Sequence, residues 1–148
     1  MQSLLYMLSA MVIGMAVTVQ PPLNAVLARA IGNAYGAAMI SIAIALISIV
    51  IFVLFAGGGN ISRVALSNVP WWVYLSGLVG AVFVASGVVI APVTGALVFF
   101  ICVIAGQLFG SILADHFGAF GLEIRPITFW RFLGLVMVFS GAVLVTQG

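Results

Sequence analysis

The feature that most restricts this chain is where it carries no charge. Four long runs, Ser3–Ala28, Tyr35–Ala56, Trp71–Ala91 and Gly95–Ala114, contain no Asp, Glu, Lys or Arg. A fifth, Trp130–Gln147, has only Arg131 at its opening. Each run has the length of about 20 residues that a helix needs to cross the hydrocarbon of a bilayer. The six charges of the 148-residue chain are Arg29, Arg63, Asp115, Glu123, Arg125 and Arg131, so charged residues make up 4% of it. A soluble domain uses roughly 25%. With 66% hydrophobic residues, a globule in water would expose large apolar patches and aggregate. The bilayer is the solvent this composition requires.

The expected fold is therefore an all-α membrane protein, one integral domain over residues 1–148. It has five transmembrane helices at about 3–28, 35–56, 71–91, 95–114 and 130–147. A β-barrel would need strands of about ten residues with alternating polarity, and these runs are longer and continuously apolar. The first run begins without the basic stretch of a secretory signal and reads as a retained helix. Gly32-Asn33 turns the chain into the second run, which stops at Gly57-Gly58-Gly59. Residues 60–70 form a short amphipathic connection with Arg63, and Trp71-Trp72 anchor the third run at the interface. Pro92, Thr94 and Gly95 join the third and fourth runs so tightly that the two form an antiparallel hairpin. With the N-terminus inside, Arg63, Arg125 and Arg131 are cytoplasmic and only Arg29 lies outside, which favours that orientation. So small a bias leaves insertion both ways open.

Several classes of function fall away. A formal charge of +2 is too little to grip nucleic acid through phosphates. One His and one Cys cannot close a four-ligand metal shell, and Cys102, in an apolar run, reads as a small core residue. No nucleophile, phosphate-cradling loop or paired ligand set points to catalysis, and no cofactor is expected. Without a carboxylate inside a span, an exchanger driven by a buried acid is disfavoured. The expected partners are membrane lipid and a small-molecule substrate held by neutral polar groups.

Two polar clusters stand at membrane depth. In Gln20-Pro21-Pro22-Leu23-Asn24 the prolines remove the donors for the carbonyls of Val17 and Thr18, so a break or kink is expected at Pro21 and Pro22. Broken helices recur at the substrate sites of transporters. Gln20 and Asn24, four apart, share roughly one face; the bland alternative is a purely structural kink. In the fourth run, Gly106 and Gly110 form a G-x-x-x-G surface for close helix approach. Gln107 and Ser111 share the adjacent face, and an unpaired buried amide costs several kcal/mol, so Gln107 must point at another helix or a wet cavity.

Small residues stripe the other spans: Gly77 and Gly80 in the third, Gly134 and Gly141 in the fifth, for packing within the chain or at a dimer seam. Phenylalanine in a membrane helix more often faces lipid, but Phe83 is kept among the cavity candidates, as is Ser41 of the second run. Asp115 and His116 close the fourth run; adjacent helical residues point about 100° apart, so helix termination and loop anchoring, with Arg125 and Arg131 as partners, is favoured over proton coupling. The sequon Asn60-Ile61-Ser62 is too short a pattern to carry a role.

These residues assemble into a recognisable pattern. Gln20-Pro21-Pro22-Leu23-Asn24-Ala25-Val26-Leu27, then Ala30-Ile31-Gly32, Val69-Pro70-Trp71-Trp72 with Gly77 and Gly80-Ala81, and above all Ala105-Gly106-Gln107-Leu108 with Asp115-His116-Phe117-Gly118, Ile127-Thr128, Arg131 and Gly134, run over nearly the whole chain. The pattern resembles the short bacterial YdcZ family of the drug/metabolite transporter superfamily. Ser41-Ile42 and Ala45 depart from the family's Ser-Phe pair and following glycine, so packing of the second helix is expected to differ. The resemblance implies a multi-pass protein of the bacterial cytoplasmic membrane. It also implies five-helix chains that pair in opposite orientations, as a dual-topology homodimer or with an inverted paralogue, around a cavity lined by the first, third and fourth helices.

The expected function is transport of a small organic metabolite by alternating access in such an inverted dimer. A dual-topology ion channel and a non-transporting membrane scaffold are the alternatives.

Overall fold

The computed structural model describes residues 2–57, 59 and 61–147, with the side chains from residue 4 onward. Gly58 of the expected glycine stop and Asn60 of the sequon lie outside the described residues. Six α-helices follow in order: α1 (Gln2–Ile31), α2 (Ala34–Ala56), the short α3 (Arg63–Ser67), α4 (Ser76–Thr94), α5 (Ala96–Phe117) and α6 (Phe129–Val145). No strand occurs among the described residues. Continuous apolar sequence dictates this outcome, because a helix satisfies every interior backbone group without water.

Four of the expected spans have the length and composition to cross a membrane: Leu4–Ile31, Ala34–Ala56, Trp71–Thr94 and Ala96–Phe117. The fifth, α6, is also apolar but has 17 residues, the lower limit for crossing about 30 Å of hydrocarbon. Large apolar side chains point outward along all of them, Leu54 and Phe55 on α2 and Val93 on α4 among the most exposed. That is the apolar outer surface foreseen from composition.

Local chemistry sets the ends. Asn33 caps α2, its side-chain oxygen accepting from the Gly36 N–H at 3.0 Å, and Gly57 leaves the helix at φ 83°. Ser62 caps α3 within the connection expected to be amphipathic. The third span opens as a 3-10 helix at Trp71–Leu75 before α4 begins, and the Tyr74 hydroxyl donates to the Leu66 carbonyl at 2.7 Å. Gly95 alone separates α4 from α5. The last turn of α5 runs past Ala114, taking in Asp115 and His116, and Gly118 stops it in the left-handed conformation. Thr128 caps α6.

Of the break or kink expected at Pro21 and Pro22, the break is not present: residues 2–31 form one α-helix containing both prolines. The balance of costs explains the difference. A helix-interior proline costs about 3 kcal/mol and removes one donor. A full break strands several N–H and C=O groups at each new end, and in hydrocarbon each unsatisfied group costs several kcal/mol. Staying helical loses less.

The chain forms two compact units, Met1–Val93 and Thr94–Gly148. In the first, Ala37 and Ala38 of α2 and Val88 of α4 make the buried core, with Leu27 and Ala28 of α1 and Ala34, Val84 and Ala85 packed on it. Alanine is what lets these helices approach, in the manner of small residues at membrane interfaces. In the second unit α5 packs on α6, with Ala105 and Ala142 buried. Cys102, expected in the core, is exposed.

Candidate functional site

In the first unit the candidate residues meet along α1 and α2. Gln20 is half-buried, and its Nε2 donates to Ser41 Oγ at 3.4 Å, a long bond near the outer limit for such contacts. One turn on, Asn24 is the buried polar residue of the described chain at 7% exposure. Its amide has no hydrogen bond among the described residues. Pro21 is buried beside it and Pro22 is exposed. Gln20, Asn24 and Ala28 are spaced by four, so the amides run up one side of α1 toward its C-terminal end. Phe83 lies half-buried on α4.

That end of the unit holds a cavity of about 430 Å³ lined by Ala25, Ala28, Arg29 and Gly32 of α1 and its turn, Asn33 and Ala34 at the start of α2, and Val88, Val89 and Pro92 of α4. Sequence reading uses Arg29 only as a topology charge. Its position one turn above Ala25, just before a Gly-Asn turn, is the signal that it stands where helix ends gather.

In the second unit Gln107 and Ser111 lie exposed on α5. Gln107 makes no side-chain hydrogen bond among the described residues. Ser111 contributes to a groove of about 420 Å³ with Leu108, Ile112 and Asp115 on one wall and Arg131, Gly134, Leu135 and Val138 on the other. At its polar end Arg131 Nη2 donates to Asp115 Oδ2 at 3.2 Å and Nη1 to the Arg125 carbonyl at 3.1 Å. The Arg125 N–H donates to the Asp115 carbonyl at 2.9 Å, and the Ile127 N–H to His116 Nδ1 at 3.4 Å. Glu123 and Arg125, both exposed, pair at 2.9 Å, and that hydrogen bond raises the Arg125 pKa. The loop after α5 is thus tied back by Asp115 and His116, the anchoring role read for them from sequence.

Among the described residues, the six candidate packing glycines meet no close neighbour, which leaves the dimer-seam alternative for them. A Cβ built on Gly77, Gly80, Gly106, Gly110, Gly134 or Gly141 meets no atom within 4 Å. Alanine at 37, 38, 105 and 142 makes the intramolecular contacts instead, since one methyl already permits close approach and removes less chain entropy than glycine. The glycine faces stay uncovered.

Helix upon apolar helix, with polar side chains confined to a few positions and charge to the boundaries, defines a multi-pass α-helical integral membrane protein. The chain belongs to the YdcZ family: the family model described as "Putative inner membrane exporter, YdcZ" matches residues 5–144. It is 30% identical over 109 residues to the Inner membrane protein YdcZ of Escherichia coli (strain K12), covering 69% of this chain and 70% of the relative. No solved structure matches it. The protein is accordingly a multi-pass integral protein of the bacterial inner membrane.

Proposed function

We propose that this chain is one half of an inner-membrane exporter for a small organic molecule, completed by a second five-helix chain inserted the opposite way up. The family's description as an exporter supports the activity. The observation that carries the assembly is Gln107. Its amide is exposed on α5 at membrane depth, where an unsatisfied polar group costs several kcal/mol, so a chain alone in lipid leaves that cost standing. The uncovered glycine faces of α4, α5 and α6 offer surfaces for close approach of a partner helix.

An inverted partner also fits the weak charge bias, because four arginines split three to one allow either orientation. Gln20 and Asn24 of the first unit, and Gln107 of the second, are each candidates for contact with cargo, and transport proceeds by rocking of the two paired chains.

Reconstitution of the purified chain tests the reading. Single-cysteine labelling from each side of the inner membrane in cells, before extraction, reports orientation, and flux of a metabolite panel through the liposomes reports activity. The expected result is labelling of the same position from both sides together with saturable flux of at least one small organic molecule. Labelling from one side only, for a chain whose liposomes show saturable flux, removes the inverted partner. No saturable flux from a correctly paired protein removes the exporter.

A further inference from the structure

Every charge in the first compact unit is positive. Arg29 and Arg63 are its only charged residues, and both carboxylates of the chain, Asp115 and Glu123, lie in the second. Arg63 stands on the short connection. Arg29 lines the cavity of about 430 Å³ where the ends of α1, α2 and α4 gather, and its guanidinium has no ion pair or hydrogen bond among the described residues. By contrast, Arg125 and Arg131 of the second unit each pair with an acid.

We propose that this cavity is the mouth of the transport path and that Arg29 selects cargo bearing a carboxylate or phosphate group. The inference rests on the exporter reading for the word cargo, but the site stands on its own geometry. A guanidinium at the rim of an apolar pocket offers paired N–H donors to an oxyanion. The pocket walls Ala25, Val88, Val89 and Pro92 suit the apolar remainder of a small organic molecule, and the volume falls in the range of about 300–1,000 Å³ usual for ligand sites. Ala34, lining the same wall, opens the 23-residue α2, whose positive end reinforces the preference for an anion. A cation would meet an unpaired arginine and no acid.

Polar side chains continue along α1 below the cavity. Ala25, Ala28 and Arg29 form one stripe on α1, continued by Gly32 in the turn that follows. Below Ala28 on that side come Asn24 and then Gln20, the latter nine residues or about 14 Å from Arg29 along the helix. Charge is read at the membrane boundary, where it costs little, and neutral amides take over at depth, where a second charge would be expensive.

A charge series on one skeleton tests this. Binding of 1-naphthoate, 1-naphthamide and 1-naphthylmethylammonium to the full chain in phosphatidylcholine nanodiscs is followed by probe fluorescence. The expected result is naphthoate bound about tenfold or more tighter than the amide, with the ammonium weakest. Arg29→Gln brings the three to within about twofold, Arg29→Lys keeps the order with a smaller preference because one ammonium replaces paired donors, and Arg63→Gln leaves it unchanged. Thermal unfolding of each variant shows that the fold is intact.

Equal binding of the three probes by the unmodified protein overturns the inference, as does a naphthoate preference that survives Arg29→Gln or falls equally in Arg63→Gln. Loss of naphthoate binding when phosphatidylglycerol replaces part of the lipid assigns the site to a lipid headgroup and overturns the cargo role. Flux separates the two readings: charge preference without flux defeats the exporter and spares the anion site, and flux without charge preference does the reverse.

Discussion

Arg131, in the first turn of α6, holds Asp115, in the last turn of α5, at 3.2 Å, with both side chains about one-third exposed. The pair closes the hairpin of the second unit across a loop that runs from Gly118 to Thr128. The same guanidinium reaches the Arg125 carbonyl, so one side chain fixes both the far helix and the middle of the loop.

That double duty makes the ion pair worth more than a surface one. In a double-mutant cycle, Asp115→Asn and Arg131→Gln are expected to couple by about 1 kcal/mol in thermal or denaturant unfolding in micelles, the upper end for partly exposed pairs. Arg131→Gln alone should also speed proteolysis within residues 119–127. Coupling indistinguishable from zero would mean that backbone bonds alone hold the loop.

The bond from Gln20 to Ser41 is long, and interhelical hydrogen bonds in membranes average only about 0.6 kcal/mol. Ser41→Ala should therefore cost less than about 1 kcal/mol of stability. A larger loss would show that the bond shortens in the assembled protein.

The side chains of Asn24 and Gln107 have no hydrogen-bond partner among the described residues. Asn24→Ala and Gln107→Ala should each lower saturable flux about tenfold or more, the equivalent of about 1.4 kcal/mol for a lost hydrogen bond, while expression remains. Full flux in both variants would remove them from the cargo path.

Two glycine substitutions should part company. Gly118 sits at φ 61°, and a Cβ there would meet Ile124 Cγ1 at 2.7 Å and the Leu122 carbonyl oxygen at 3.1 Å. Gly118→Ala is expected to destabilise the isolated chain by about 1–2 kcal/mol through strain and displacement of Ile124. Gly110→Leu meets open space and should leave the chain's own unfolding within about 0.5 kcal/mol of the starting protein. If α5 approaches a second chain through that face, the same change separates the pair on a sizing column.

Much of this was legible in the residues alone. The charge-free runs named the solvent and therefore the helices, and the block around Gln107 and Asp115-His116 carried the family. Asp115, His116, Arg125 and Arg131 clustered between the last two runs, and their mutual anchoring followed from proximity in the chain. The prolines misled because local rules count lost donors against water, whereas in hydrocarbon an interrupted helix loses more. The glycines gave a face but not its partner, because spacing identifies a smooth surface without saying what lies against it.

What the sequence determined by itself is the class of protein: a chain with six charges and five long apolar runs has only one solvent in which its backbone and its surface are both satisfied. What the tertiary structure decided is which side of each helix faces inward. Apolar residues surround these helices almost evenly, so no amphipathic stripe distinguishes core from lipid, and direction is settled by contacts between helices distant in sequence. Only those contacts bury Asn24, turn Gln20 to Ser41, leave Gln107 uncovered and set Arg29 on the rim of a three-helix cavity.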